Sequence, residues 1–219
     1  MRHFLLALAL GAATSTFGAT LFTESFENAS GLGDGNWANA GTAAIVANPL
    51  VNLSNPSANV VHFGGLGSGG DLFSKFISYS GDPDFIASGQ LLLSFDFLWT
   101  NTGATTWAGT DHQTSPFGDE QWLWNSAGGA LYGTNPPANT WVHVAFSFKP
   151  EDSGNVGTIV LKFEQNSGTP GTSYFDNIQL AAVPEPSSLA FLSLGISALA
   201  IRLYSRCSKS NRTGHRKLG

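Results

Sequence analysis

The stretch Trp141-Val142-His143-Val144-Ala145-Phe146-Ser147-Phe148 decides how this chain folds. Val142, Val144, Phe146 and Phe148 fall on one side of an extended backbone, and His143, Ala145 and Ser147 on the other. Alternation with a period of two marks a strand in a sheet with one buried face. Two more segments repeat it. Leu91, Leu93, Phe95, Phe97 and Trp99 share a row opposite Ser94 and Asp96. Ile159, Leu161 and Phe163 share a row opposite Lys162 and Glu164. Each strand is expected to bury one row and wet the other.

Outward from these three, short apolar runs alternate with Gly, Asn, Pro and Ser, and no helical periodicity appears between residues 20 and 182. Leu21–Phe26, Ala43–Ala47, Asn59–Phe63, Leu72–Tyr79, Gln121–Trp124 and Ser173–Leu180 complete a set of nine expected strands. The pattern predicts an all-β fold, an antiparallel β-sandwich or barrel, and a sandwich is the economical solution for strands that bury one row each. Gly64 to Gly70 reads as a flexible loop and not a phosphate cradle, because Asp71 follows where a helix start would have to receive an anion. Thr100 to Gly118 reads as a second long loop, of the kind that rims a binding face.

Charge divides the chain into three parts. Residues 20–186 carry three lysines against fifteen acids, a net of -12, with no arginine. Arg2 precedes the first apolar run, whereas Arg202, Arg206, Lys209, Arg212, Arg216 and Lys217 follow the last. This is the distribution of a chain whose basic ends stay cytoplasmic while the middle is exported. The acidic middle excludes nucleic acid as a partner, since phosphates demand Lys and Arg. Residues 1–19 read as a signal peptide: a basic start, an apolar run from Phe4 to Ala13, then small residues. Cleavage after Gly18 places Thr16 three residues back, and cleavage after Ala19 places the bulky Phe17 there. The single cysteine, Cys207, lies in the basic tail, so residues 20–182 fold without an internal disulfide.

Residues 187–204 are eighteen positions without an acid, near the lower limit for a transmembrane helix. At ~1.5 Å per residue they reach about 27 Å, and Arg202 lies where its charge reaches the headgroups.

Catalytic constellations are thin. His62, His112 and His143 lack zinc-ligand spacing, and there is no Gly-x-Ser-x-Gly elbow. The acid pairs Asp119-Glu120 and Glu151-Asp152 are adjacent, so in a strand they would point to opposite faces. Aromatic side chains are the better lead. Trp107, Trp122, Trp124 and Tyr132 lie beside Asp119, Glu120, Gln121 and Asn125, and flat rings stack on the apolar faces of sugars. Trp122 and Trp124 are expected on one strand face as a platform, with Leu123 on the other. Both are also core candidates, and the weightier reading is burial, which claims most tryptophans in sandwiches. Asp176 shares strand phase with Tyr174, Ile178 and Leu180, which turns it inward. A buried carboxylate must be paired, hydrogen-bonded or metal-bound. With so few lysines, backbone donors at a turn or a cation remain.

The closing Ser173-Tyr174-Phe175-Asp176-Asn177-Ile178-Gln179-Leu180 resembles the last strand of jelly rolls of the carbohydrate-binding-module type. So do Leu21-Phe22-Thr23-Glu24-Ser25-Phe26-Glu27 with Trp37 downstream, and Trp141-Val142-His143-Val144. The resemblance implies a structural calcium held by Glu27 and Asp176. Laminarinase-like sandwich enzymes carry Glu-x-Asp-x-x-Glu on one strand, a pattern this chain lacks. Val183-Pro184-Glu185-Pro186-Ser187, the apolar run and the basic end are similar to the PEP-CTERM sorting signal of Gram-negative bacteria. That likeness implies that Pro184, Glu185 and Pro186 are read by exosortase, a membrane protease, in bacteria that make exopolysaccharide. The tail running on to Gly219 is longer than is usual there.

The expected organisation is a signal peptide (1–19), an exported β-sandwich (20–182) and a sorting segment (183–219) with a basic cytoplasmic tail (202–219). The expected role is a non-catalytic surface or matrix protein with polysaccharide as its ligand class. A glycan-acting hydrolase on a lectin-like sandwich and a ligand-free envelope protein are the alternatives.

Overall fold

The computed structural model describes residues 18–28, 32, 36–39, 42–63, 72–100, 105–111, 120–127, 136–150, 157–165 and 173–185. The chain divides into two compact units, Met1–Val183 and Pro184–Gly219. Of the second, Pro184 and Glu185 alone are described. Tyr132, Pro186 and the expected membrane helix at 187–204 lie outside the described residues, as do residues 1–17 of the expected signal. Among the described residues no helix is long and apolar enough to cross a membrane.

The first unit is a β-sandwich of two antiparallel sheets. One sheet orders β10 (Val142–Phe148), β7 (Leu91–Trp99), β12 (Ser173–Ala182), β4 (Asn59–Phe63) and β3 (Ala43–Ala47), with β1 (Thr20–Glu24) also paired to β12. The other orders β2 (Trp37–Asn39), β5 (Leu72–Ser74), β11 (Thr158–Gln165), β8 (Thr106–Asp111) and β9 (Glu120–Asn125), with β6 (Ile77–Ser78) also paired to β11. The alternating rows meet between the sheets. Phe95 of β7 and Phe175 of β12 pack edge-on against Phe163 of β11, with ring centroids 5.6 and 4.9 Å away. All three rings are fully buried. Edge-to-face packing places the positive ring edge on a neighbour's negative face.

Three expectations change. Thr100–Gly118 is not a continuous loop, because Thr106–Asp111 forms β8, an interior strand between β11 and β9. Leu72–Tyr79 is two short strands, both paired to β11. The outer rows of β7 and β11 are not wet either. Ser94, Asp96, Val160 and Lys162 are buried, so both strands are covered on both faces.

Residues 48–58 cover the outer face of the first sheet. Val60, Leu98 and Trp141 make a second small core there, flanked by Val46, Leu50 and Tyr174. The Trp141 indole N–H donates to the Leu50 carbonyl at 2.9 Å and to Asn48 Oδ1 at 3.3 Å. A short helix, α1 (Pro83–Ser88), joins β6 to β7. Asp82 caps it by accepting from the Asp84 and Phe85 N–H groups, and Gly89 ends it in the left-handed conformation that its φ of 66° requires.

Candidate ligand-binding face

The outer face of the second sheet holds two of the four aromatic residues that sequence singled out, Trp107 and Trp122, although not in the expected pairing. In β8 and β9 the register runs Trp107↔Asn125, Ala108↔Trp124, then Gly109↔Trp122. One β8 step against two β9 steps is a β-bulge, and it leaves Leu123 unpaired. Alternation is broken there, so Trp122 and Trp124 point to opposite sides of the sheet. Trp124 is 1% exposed and packs in the core against Phe95 and Phe97, with centroids at 5.3 and 4.9 Å. The expected Trp122–Trp124 platform does not form.

Trp122 instead meets Trp107. Their ring centroids lie 5.7 Å apart with the planes at 57°, and both side chains are half-buried. Gly109 makes this possible. A Cβ at that position would strike the Gln121 carbonyl oxygen and come within 3.1 Å of the Trp122 ring. Lys162, the cross-strand partner of Gly109, extends its ammonium to 4.8 Å from the Trp122 centroid and 5.3 Å from that of Phe73. Its Nζ also lies 3.4 Å from Glu164 Oε2, on the same face. The cation over two ring faces holds Trp122 from beneath.

Of the buried polar atoms without a hydrogen-bond partner on β8 and β9, two lie opposite each other across the strands. The Trp107 indole N–H and Asn125 Oδ1, on cross-strand partners, are buried and unbonded. A buried donor or acceptor without a partner costs about 1–3 kcal/mol. One donor and one acceptor beside two tilted rings fit a group that both donates and accepts, such as a hydroxyl.

A different polar cluster lies under residues 48–58. Asp176 pairs in register with Asp96 of β7, and a bulge between Asp176 and Gln179 then shifts the phase. Asn177 takes the extra position with a φ of 48°. The sequence expectation placed Asp176 in one row with Ile178 and Leu180. The bulge instead puts it on the opposite face, with Tyr174. Asp176 is fully buried there nonetheless. Its Oδ2 accepts from Asn55 Nδ2 at 2.8 Å, while its Oδ1 makes no hydrogen bond of acceptable geometry. Asp96 accepts from Asn177 Nδ2 at 2.8 Å, and its other oxygen lies 2.8 Å from His143 Nδ1. Burial pushes the Asp176 carboxyl above the ordinary carboxylate range; the nearby Asp96 charge adds to this, and Ser57, Asn55 and the Asn177 backbone oppose it.

Glu27 is exposed and accepts from the Ala58 N–H at 2.9 Å, so it touches the same covering segment as Asp176 without reaching the carboxylate pair. Among the described residues no three His, Cys, Asp or Glu side chains gather as a metal site. The orphaned Asp176 Oδ1 fits a cation, and Asp96 is the carboxylate beside it. His62 and Tyr174, cross-strand partners on this same outer face, stack at 5.9 Å. Partial burial lowers the imidazole pKa and raises that of the phenol.

No protein-family model matches the chain, and no curated protein matches it. Solved structures do resemble it. The CBM22-1 xylan-binding domain from Paenibacillus barcinonensis Xyn10C is 13% identical over 77% of this chain and 97% of its own, with a TM-score of 0.46. The K2 cleaved adhesin domain of Lys-gingipain is 16% identical over 74% of this chain and 99% of its own, with a TM-score of 0.45. TmCBM61, solved with beta-1,4-galactotriose, is 14% identical over 72% of this chain and 97% of its own, with a TM-score of 0.43.

Proposed function

We propose that this chain is an exported, non-catalytic surface or matrix protein that binds polysaccharide at the Trp107–Trp122 face. The observation that carries the reading is the pairing of these two half-buried rings with an orphaned N–H and an orphaned amide oxygen in one cross-strand row. Sugar C–H faces stack on the rings, and hydroxyls complete the two polar atoms. Because the planes meet at 57°, the rings grip a single chain and do not lie flat on a crystalline surface.

The test is a glycan array probed with the exported domain. Binding that Trp122→Ala and Trp107→Ala both abolish supports the reading. Binding to no polysaccharide favours a ligand-free envelope protein, and turnover of a bound glycan favours a hydrolase.

In the same reading the acidic domain is exported behind residues 1–19, held by the apolar segment 187–204 and released at Pro184-Glu185-Pro186 by an exosortase-type protease. Composition and motif support this. If the mature protein retains residues 187–219 in a host that carries exosortase, the release step is wrong. A structural calcium belongs to this proposal at Asp176, with Asp96 in place of Glu27 as the second carboxylate.

A further inference from the structure

The folded domain treats Gly18 and Ala19 differently, and the difference separates the two candidate cleavage bonds. The Ala19 N–H donates to Asp84 Oδ2 at 3.2 Å, and the Ala19 carbonyl accepts from the Ala182 N–H at 3.2 Å. Thr20 then pairs with Ala181 as the first rung of β1. Gly18 is crowded instead. A Cβ at that position would run into the Ala182 carbonyl oxygen and come within 3.0 Å of Asp84 Oδ2. From Ala19 onward the backbone is bonded into the domain, while the residue before it fits only without a side chain. Asp84 is held in place by its helix: its own N–H donates to the Asp82 cap at 3.0 Å, and its carbonyl accepts from Ser88 Oγ at 2.9 Å.

We propose that export processing cuts the Gly18–Ala19 bond and that the α-ammonium group so formed binds the Asp84 carboxylate, which makes Asp84 the docking residue of the mature N-terminus. This rests on the reading of the N-terminal segment as an export signal, here ending at Gly18. Hydrolysis takes one water: its oxygen joins the Gly18 carbonyl carbon as the C–N bond breaks. Its two protons end on the Ala19 nitrogen, leaving a Gly18 carboxylate and an Ala19 ammonium. The free α-amine has an ordinary pKa of about 7.7–8.0, so it is charged at neutral pH. An amide N–H that makes one hydrogen bond thus becomes a cation with three donors, opposite a carboxylate already within reach. The crowding at Gly18 disappears with the departing segment. Cleavage after Ala19 would instead delete both Ala19 hydrogen bonds.

The full chain is expressed in a Gram-negative host, and the exported product is measured by intact mass and N-terminal sequencing. The expected first residue is Ala19. A start at Thr20 or elsewhere downstream overturns the proposal and leaves export standing, whereas a retained Met1 overturns both. Asp84→Asn in the processed protein is then expected to speed acylation of the α-amine at neutral pH by about two- to five-fold, the range that an exposed ion pair supports. The same substitution in a chain prepared to begin at Thr20 is expected to leave the rate unchanged. Equal rates in the two Ala19-starting proteins, or an equal acceleration in the Thr20-starting pair, overturn the ammonium–carboxylate contact.

Discussion

Truncating the two tryptophans of β9 should produce opposite phenotypes, although they stand two residues apart. Trp124 is 1% exposed and lies edge-on to Phe95 and Phe97. Trp→Ala at such a site costs about 3–5 kcal/mol, from lost transfer energy and the cavity left behind. A domain of this size melts roughly 2–4 °C lower per kcal/mol, so the expected loss for Trp124→Ala is on the order of 6–20 °C. Against a total stability of about 5–15 kcal/mol, that leaves the variant marginal. Trp122 is half-buried and gives up one tilted ring contact and one cation–π contact. Those are worth about 1–3 kcal/mol together, toward the low end at a partly hydrated face. Trp122→Ala should therefore remain folded, melt only a few degrees lower and lose glycan binding. Calorimetry on both variants, followed by affinity electrophoresis in polysaccharide gels, reads both quantities. If Trp122→Ala collapses while Trp124→Ala melts like the parent, the bulge at Leu123 is absent and the assignment of faces is wrong.

Gly109→Ala is expected to weaken glycan binding by displacing Trp122, because the added methyl meets the Gln121 carbonyl and the Trp122 ring; unchanged binding in a melting-neutral variant would remove Gly109 from the site. Acidification from pH 7 to 5 should destabilise the fold through His62. Its pKa is lowered from 6.5 by burial, so the unfolded chain takes up the proton first, and this stability is present above about pH 6.5 and lost below it. His62→Gln should flatten that part of the profile, and the comparison isolates His62 from Asp176, whose raised pKa acts in the opposite sense. Chelation is expected to lower the melting temperature, and Asp176→Asn to abolish the response; a melting temperature indifferent to chelator removes the cation and leaves a proton as the means of neutralising Asp176.

Much of the sandwich was legible because its strands obey the simple period of two. Ala43–Ala47, Asn59–Phe63 and Leu91–Trp99 form as read, and Val142, Val144, Phe146 and Phe148 do pack on the core. β8 escaped notice because Trp107-Ala108-Gly109-Thr110 carries no large apolar row, the one apolar residue on its core face being Ala108, in phase with the buried Thr106 and Thr110. Such a strand is recognisable from its neighbours β11 and β9 and not from its own residues. α1 has six residues, too few for helical periodicity, although Asp82-Pro83 and Gly89 were there to mark its ends. The site was less legible for one physical reason. Both clusters sit at bulges, and a single inserted residue reverses every later side chain in the strand. At Leu123 this separates Trp122 from Trp124, and at Asn177 it separates Asp176 from Ile178. Nothing in either tripeptide announces the insertion. The pairing of Trp107 with Trp122 therefore had to come from the register.

The position of β12 has a consequence for how this molecule acquires its shape. This last strand pairs along one side with β7 and along the other with β4 and β1, so that Thr20 meets Ala181 across nearly the whole domain. Closing a contact over so long a stretch of chain is slow, since the entropy of the intervening loop is lost before any hydrogen bond repays it. A chain threaded N-terminus first through a narrow passage cannot complete this sheet until its final strand has emerged. Until then β1, β4 and β7 wait with unpaired edges, exposed to mispairing with other chains. For the export proposed above, topology alone would then order passage and folding in time, because the sheet closes only after residues 173–182 have followed the rest of the domain.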